Sequence, residues 1–505
     1  MPSLPFPQLF QKDFSLKAAL VFVLFLFVTV FIRLPFFFRD YVDQDESTFI
    51  LVAQSWVDGH LPYTELWDLK PPVVFLFFTL VIKVFGKSFV AIRFFGCVLV
   101  ALTAFFTFKL GESLHSKLLG FWSGVATLCF LSLFGSVQGV MSEHIATVFF
   151  MGALWLLASK DSLGLVFLAG IAMGMAFMAK LNLGYAMLVF GPLLLYWYKN
   201  PLTKGVLLSF IYGMGALVPL LFFGLHYYNQ DAFSAFYDVV FGAPLRYAAS
   251  KEGSVLDVLP FGLVLGVLAG WAWRIKLFEK SNLLHSLIWV SIGAITFSFF
   301  RVGKINGHYL IQIYPLLILV VAMLMTRLPQ PKKKWVPYLA YLLFLVPMES
   351  YLEYVAVAKN YAEKGRLLNG EGVDVPFLIQ EKGYENKNVY FMDYHIGYWM
   401  LGTQPPSKIV THPTNIFRQE LIVGSGSPRT SSQAELQYIF EEKQPELVIR
   451  RHRSGRPKNV RLMPKNNYVQ THYKNEIDYL ESTMRTKYRI IDSVGKARIY
   501  QRIQP

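Results

Sequence analysis

Three acids stand close together in an otherwise greasy N-terminal half: Asp43, Asp45 and Glu46. A second polar stretch follows in Trp67-Asp68-Leu69-Lys70-Pro71-Pro72. A placed carboxylate can take a proton from an attacking hydroxyl, an effect worth about 10²–10⁴-fold. A fixed lysine ammonium can steady a departing phosphate. These acids and this lysine follow an apolar segment, 16–38, that is long enough to cross a bilayer, and charges kept at a membrane face default to function. Asp45 is the candidate base. Glu46 is grouped with it as catalytic, orienting it or binding an acceptor, with Asp43 beside them. The plainer alternative is that the three acids only start a helix, whose N-terminus favours acids. Lys70 is the first candidate for a phosphate, against simple snorkelling to head groups. Asp68 is expected to pair with Lys70.

The composition sets the frame that must position these residues. The chain has 505 residues, of which 54% are hydrophobic and 16% aromatic, with mean hydropathy +0.40. A soluble protein of this length does not need so much apolar surface. Apolar runs recur at 16–38, 92–110, 118–136, 145–159, 162–179, 184–198, 205–226, 256–273, 283–300, 309–326 and 335–348. The formal charge of +15 sits largely between these runs, as the positive-inside rule requires. Anionic lipid or a lipid-linked phosphate is therefore the expected partner, and no nucleic acid. The only cysteines, Cys97 and Cys129, lie in apolar runs and exclude a disulfide framework or a Cys-rich metal site.

Loop charge orients the chain. A twelfth run, 71–86, is short, opens on two prolines and carries Lys83. If it crossed, every later positive cluster would move outside. It is predicted instead to lie in or partly enter the outer leaflet. That gives about 11 transmembrane helices in a domain of residues 1–348, with the N-terminus inside and juxtamembrane helices in a first outer loop, 39–91. The tail, 349–505, is polar and outside. Its short strands at 388–392, 446–450, 488–491 and 497–500, with helices at 432–442 and 474–486, predict a small α/β domain.

The remaining polar residues then gather on the outer face. Glu143 and His144 occupy a short turn, with helix capping as the alternative for Glu143. Lys180 stands at another, Arg246 and Tyr247 in the loop 227–255, and Arg301, Lys304, His308 and Tyr309 in the ninth-to-tenth connection. Arg301, Lys304 and His308 are secondary phosphate candidates, with snorkelling or interfacial anchoring as the alternative. The basic stretch Arg450, Arg451, His452, Arg453, Arg456, Lys458 and Arg461 meets an anionic acceptor or lipid, or is a solvated loop. A transport path would instead place ionisable groups in mid-span, where they are scarce.

The ordered set resembles a known group. It runs from the Asp-Glu pair through Gly59-His60-Leu61-Pro62-Tyr63 and Lys70-Pro71-Pro72 to Phe85-Gly86 and Arg93, then Met141-Ser142-Glu143-His144, Gly174–Lys180 and Gly307-His308-Tyr309. It is similar to the C-type (GT-C) membrane glycosyltransferases, in the bacterial branch related to protein O-mannosyltransferases and the lipid A aminoarabinose transferase. The resemblance covers residues 15–330. It implies a polyprenyl-phosphate sugar donor, Asp45 as catalytic residue and Lys70 on the donor phosphate. It further implies action on the outer face. The leading expectation is then an enzyme of the bacterial inner membrane with a lipid, glycan or protein hydroxyl as acceptor, and attack from the face opposite the phosphate would invert the anomeric carbon. No required cofactor is expected. A divalent cation at Asp43, Asp45 and Glu46 is the one metal option, since hard cations prefer carboxylates. The rival readings are a carrier or flippase for lipid-linked sugars, or a non-catalytic subunit of a glycan assembly complex.

Overall fold

The computed structural model describes residues 16–159, 162–249, 254–277, 282–328, 336–411, 416–452 and 473–503. Lys12, Lys160, Lys280, Lys332, Lys333 and Lys334, which are among the basic residues flanking the apolar runs, lie outside the described residues, as do Arg453, Arg456, Lys458 and Arg461 and the side chain of Tyr247.

The first helix, α1 (Ala18–Arg33), continues as a short 3-10 turn to Phe38. Two helices follow in the first loop. The first is α2 (Gln44–Val57), whose N-cap Asp43 accepts the Asp45 amide, the usual role of an acid at that position. The second is α3 (Pro72–Phe85), which opens with Pro72 at its first position and ends at Gly86 with φ 69°. Proline suits N1 and glycine suits a left-handed stop. Then come α4 (Phe89–Leu114), α5 (Lys117–Phe130), α6 (Ser142–Ser159), α7 (Leu163–Phe177), α8 (Gly184–Trp197) and α9 (Leu202–Tyr228). Short α10 (Phe233–Tyr237) and α11 (Ala243–Ala249) lead to α12 (Val255–Arg274), α13 (Leu283–Val302) and α14 (Tyr314–Met325).

Among the described residues, six helices are long and apolar enough to cross a membrane: α1 with its 3-10 extension, α4, α6, α9, α12 and α13. Shorter apolar helices, α3, α5, α7, α8 and α14, lie between them. Close packing of small residues locks neighbours together. A Cβ on Gly170 would fall 2.2 Å from the Tyr212 carbonyl oxygen, and one on Gly215 would fall 2.2 Å from that of Phe167, so α7 and α9 touch backbone to backbone.

Several boundaries differ from expectation. The 145–159 run begins earlier, so Glu143 and His144 form the first turn of α6 rather than a loop. The His144 imidazole Nδ1 accepts the Met141 amide, which extends the helix backward as a capping box does. The 309–326 run begins as a 3-10 turn, Gly307–Gln312, before α14. The 335–348 run is a 3-10 helix, Val336–Leu345, and the chain bends 46° into α15 (Met348–Lys364).

The tail holds α15, α16 (Glu371–Glu381), α17 (Ile396–Leu401), α18 (Gln419–Gly424), α19 (Ser432–Gln437) and α20 (Lys474–Lys487). They flank a four-stranded sheet of β1 (Val389–Phe391), β2 (Leu447–Arg451), β3 (Tyr488–Val494) and β4 (Ala497–Arg502). The strand order is β1-β2-β4-β3, with β1 and β2 parallel and the other pairs antiparallel. All four strands fall where alternation placed them.

The tail grips the first loop along its whole length. Asp40 accepts the Gly372 amide at 2.8 Å. Thr48 Oγ1 donates to the Val410 carbonyl at 2.7 Å, and Trp67 N donates to Lys408 O at 2.7 Å. The Trp399 indole donates to Gln54 Oε1 at 3.0 Å, and Lys87 Nζ to the Trp399 carbonyl at 3.1 Å. Trp67 precedes α3 and Lys87 follows it, so both flanks of α3 rest on the same polar domain. At about 1.5 Å per residue, its 14 residues reach about 21 Å, short of the about 30 Å hydrocarbon layer.

Candidate active site

The N-terminus of α2 faces the loop leading into α3. Lys70 Nζ lies 3.1 Å from Asp45 Oδ2, each side chain about one-fifth exposed. The loop is set by its own contacts. Tyr63 OH donates to the Lys70 carbonyl at 2.6 Å, and the Lys70 amide donates to Asp68 Oδ2 at 3.3 Å. Burial disfavours the Lys70 ammonium, yet Asp45 and then Asp68 outweigh it and hold its pKa above the ordinary lysine value. Burial raises the Asp68 carboxyl against the pull of Lys70. Burial, and then repulsion from Asp45, push Asp43 up to about 7.

A second cluster comes from α6, the link between α7 and α8, and the turn before α14. Glu143 is fully buried, with Lys180 Nζ 2.5 Å from its Oε1 and His308 Nε2 at 3.9 Å from the same oxygen. Lys180 Nζ also sits 4.9 Å from the Tyr309 ring centre, within cation–π range. Burial lowers the His308 pKa, opposed by Glu143, which favours the neutral imidazole. Burial pushes Tyr309 up to about 12. Both clusters share one electrostatic field: Lys70 feels Glu143 and Tyr309, and His308 feels Asp45 and Lys70.

Glu46 behaves differently from its neighbour. It is fully buried, paired with Arg93 at 2.5 Å, and accepts the Val140 amide at 2.9 Å. Arg93 also donates to the Phe36 carbonyl. Beside this pair, buried Arg33 donates to the carbonyls of Leu131, Val137, Gln138 and Gly139. Together they pin the segment entering α6 to the start of α2, and so fix Glu143 relative to Asp45. Nothing in the sequence singles out Arg33, since an arginine toward one end of an apolar run is ordinarily a snorkelling anchor.

With Asp45 committed to Lys70 and Glu46 to Arg93, the three acids do not form a common donor set. Among the described residues no group of three or more His, Cys, Asp or Glu side chains is placed to hold a metal.

The architecture has counterparts among solved structures. The chain aligns over 95% of its length, and 97% of the other chain, with the crystal structure of ArnT from Cupriavidus metallidurans bound to undecaprenyl phosphate, at TM-score 0.60 and 14% identity. This is the fold of the C-type membrane glycosyltransferases. The same enzyme in the apo state aligns over 96% of this chain and 98% of that one, at TM-score 0.58 and 12% identity. The Archaeoglobus fulgidus oligosaccharyltransferase in the apo form aligns over 88% and 70%, at 0.50 and 10%. Residues 69–228 match the family described as dolichyl-phosphate-mannose-protein mannosyltransferase. No curated protein matches by sequence.

Within this C-type fold the other candidates are dispersed. His144 is buried and spends Nδ1 on the α6 N-terminus. Arg246 pairs with Asp238 at 2.5 Å and packs beside Gly424 of the tail. Arg301 ends α13 with an exposed side chain, and Lys304 is half-buried beyond Gly303. His308 and Tyr309 of that connection both contact the cluster. Arg450 pairs with Glu481 of α20.

Proposed function

We propose that the chain is an integral-membrane glycosyltransferase that moves a sugar from a polyprenyl-phosphate carrier to an acceptor hydroxyl. The observation that carries this reading is the half-buried Asp45–Lys70 pair at 3.1 Å, opposite the Glu143–Lys180–His308 cluster. The acceptor oxygen attacks the anomeric carbon and passes its proton to Asp45. The bond from that carbon to the phosphate oxygen breaks, and its electron pair leaves with the lipid phosphate. Lys70, leaving its contact with Asp45, neutralises that charge, with Lys180 and His308 behind it. Attack opposite the phosphate inverts the anomeric centre. The chemistry uses side chains alone and needs no metal.

The proposal places the site and the tail outside the cytoplasm of a bacterial inner membrane. The charge between the spans supports that orientation, and tail contacts on both flanks of α3 support a common face for loop and tail. The fold shared with a protein crystallised with undecaprenyl phosphate supports the donor class.

The test is transfer from a radiolabelled polyprenyl-phosphate sugar to candidate acceptors by purified protein in nanodiscs. Wild type should cleave the donor and label the acceptor, and Asp45→Asn should do neither while remaining folded. Full turnover by Asp45→Asn removes the assignment. Movement of the intact carrier without bond cleavage replaces it with a flippase.

A further inference from the structure

Tyr63 has φ 73° and is closed to solvent. That is the left-handed region, which a bulky side chain rarely enters. Such a conformation persists only where the surroundings over-determine it, and it clusters at functional sites. Here the determinants are local and aromatic. The Tyr63 amide donates to the Leu66 carbonyl at 2.9 Å. Its ring stacks on Tyr227 of α9, with centroids 5.7 Å apart and planes at 27°, and meets Phe75 of α3 edge-on at 5.9 Å. Tyr227 stacks in turn on Phe236 of α10 at 5.2 Å. All four rings are buried.

The stack aims the phenol. Tyr63 OH donates to the Lys70 carbonyl at 2.6 Å, and the Lys70 amide donates to Asp68 Oδ2 at 3.3 Å. The backbone of Lys70 is thus held at both of its polar groups. Just beyond, the Val73 amide donates to the Met178 carbonyl at 3.2 Å, two residues before Lys180. A lysine ammonium rides on a flexible four-carbon stem, so the reach of Lys70 depends on where its backbone is fixed. The Tyr63 bond is to that backbone, and its effect therefore runs through Lys70. The Tyr227 hydroxyl has no hydrogen-bond partner among the described residues, which leaves its ring as the part that supports Tyr63.

We propose that Tyr63 is a positioning residue for donor use: the aromatic stack fixes its phenol, the phenol fixes the Lys70 backbone, and the ammonium is thereby placed for the donor phosphate. This rests on the transferase reading above. It gives the corner between α9 and α10 a part in donor binding, through the ring of Tyr227.

The experiment measures binding of undecaprenyl phosphate to the purified full chain by native mass spectrometry, and donor turnover in nanodiscs. Tyr63→Phe keeps the ring and removes the hydrogen bond. It should weaken undecaprenyl phosphate binding by up to about tenfold, the worth of one hydrogen bond. It should also raise the donor KM and lower kcat, while the acceptor KM and the thermal midpoint stay as in wild type. Tyr227→Leu should act in the same direction, and Tyr227→Phe should restore binding. In a Lys70→Ala background Tyr63→Phe should have no further effect, because the two act as one unit. A tyrosine with only a structural role would weaken both backgrounds alike. Equal effects in the two backgrounds, unaltered binding and donor KM in Tyr63→Phe, or no binding of undecaprenyl phosphate by wild type would each overturn the proposal. Binding is read without turnover. Wild type that binds the carrier lipid but transfers no sugar would sink the transferase reading, and the binding arm would still decide the role of Tyr63.

Discussion

Glu46 Oε2 and Arg93 Nη2 meet at 2.5 Å with both side chains closed to solvent, one residue along the chain from the candidate base. Adjacent acids thus have opposite surroundings: Asp45 meets Lys70 with about one-fifth of its side chain exposed, and Glu46 is closed in between α2 and α4. Removing one partner of a buried ion pair strands the other and costs about 3–5 kcal/mol. Glu46→Ala should lower the thermal midpoint of the purified protein sharply. Glu46→Leu with Arg93→Met should recover part of that loss, and a midpoint unchanged in Glu46→Ala would remove the structural role.

Lys70→Ala should act on the donor. The donor KM should rise more than the acceptor KM, and kcat should also fall, because the phosphate gains charge in the transition state. Steady-state kinetics with each substrate varied in turn measure the split. An equal effect on both substrates contradicts phosphate contact.

Asp43 gives a pH signature. Its carboxyl is raised from 3.8 to about 7 in the folded protein, so between those values the folded state holds a proton that the unfolded state has released. Stability is then highest in acid and falls as pH rises from about 4 to about 7. The midpoint of wild type should drop across that range more steeply than that of Asp43→Asn. Parallel curves for the two proteins would dismiss the effect.

A methyl group at Gly372 would meet Asp40 Oδ2 and Ile396 Cγ2, each at 2.8 Å. Gly372→Ala should therefore loosen the tail from the first loop. Limited proteolysis should cut between 365 and 371 faster than in wild type, and activity should fall with it. Unchanged proteolysis would show that the contact yields without release.

The position of α3 can be read by labelling. Cys97 and Cys129 are buried, so single cysteines at Thr64 and at Lys83, both exposed, stand out. A membrane-impermeant maleimide should reach both from the same side. Labelling from opposite sides means that α3 crosses.

Much of this was legible because periodicity and charge are local. Pro71-Pro72 and Gly86 mark the ends of α3, and alternation marks the tail strands, with Gly495 at φ 54° in the turn between β3 and β4. For Lys70 the sequence suggests a pairing with nearby Asp68, whereas its ammonium meets Asp45 and Asp68 takes its backbone amide. Less visible was the division of labour within Asp43-Gln44-Asp45-Glu46. A helix turns about 100° per residue, so neighbouring acids face different surroundings, and only the arrival of α4 with Arg93 and of the segment at Val140 decides which is buried.

The sequence by itself determined a helical membrane chain with short strands in its tail, because apolar run length and side-chain alternation are properties of contiguous residues. Only the tertiary structure decided that Glu143, Lys180 and His308 face Asp45 and Lys70, that Arg301 does not share their cluster's buried contacts, and that the tail closes over the first loop. Those are meetings between residues far apart in the chain, and they are fixed by how helices pack and by where buried charges find partners.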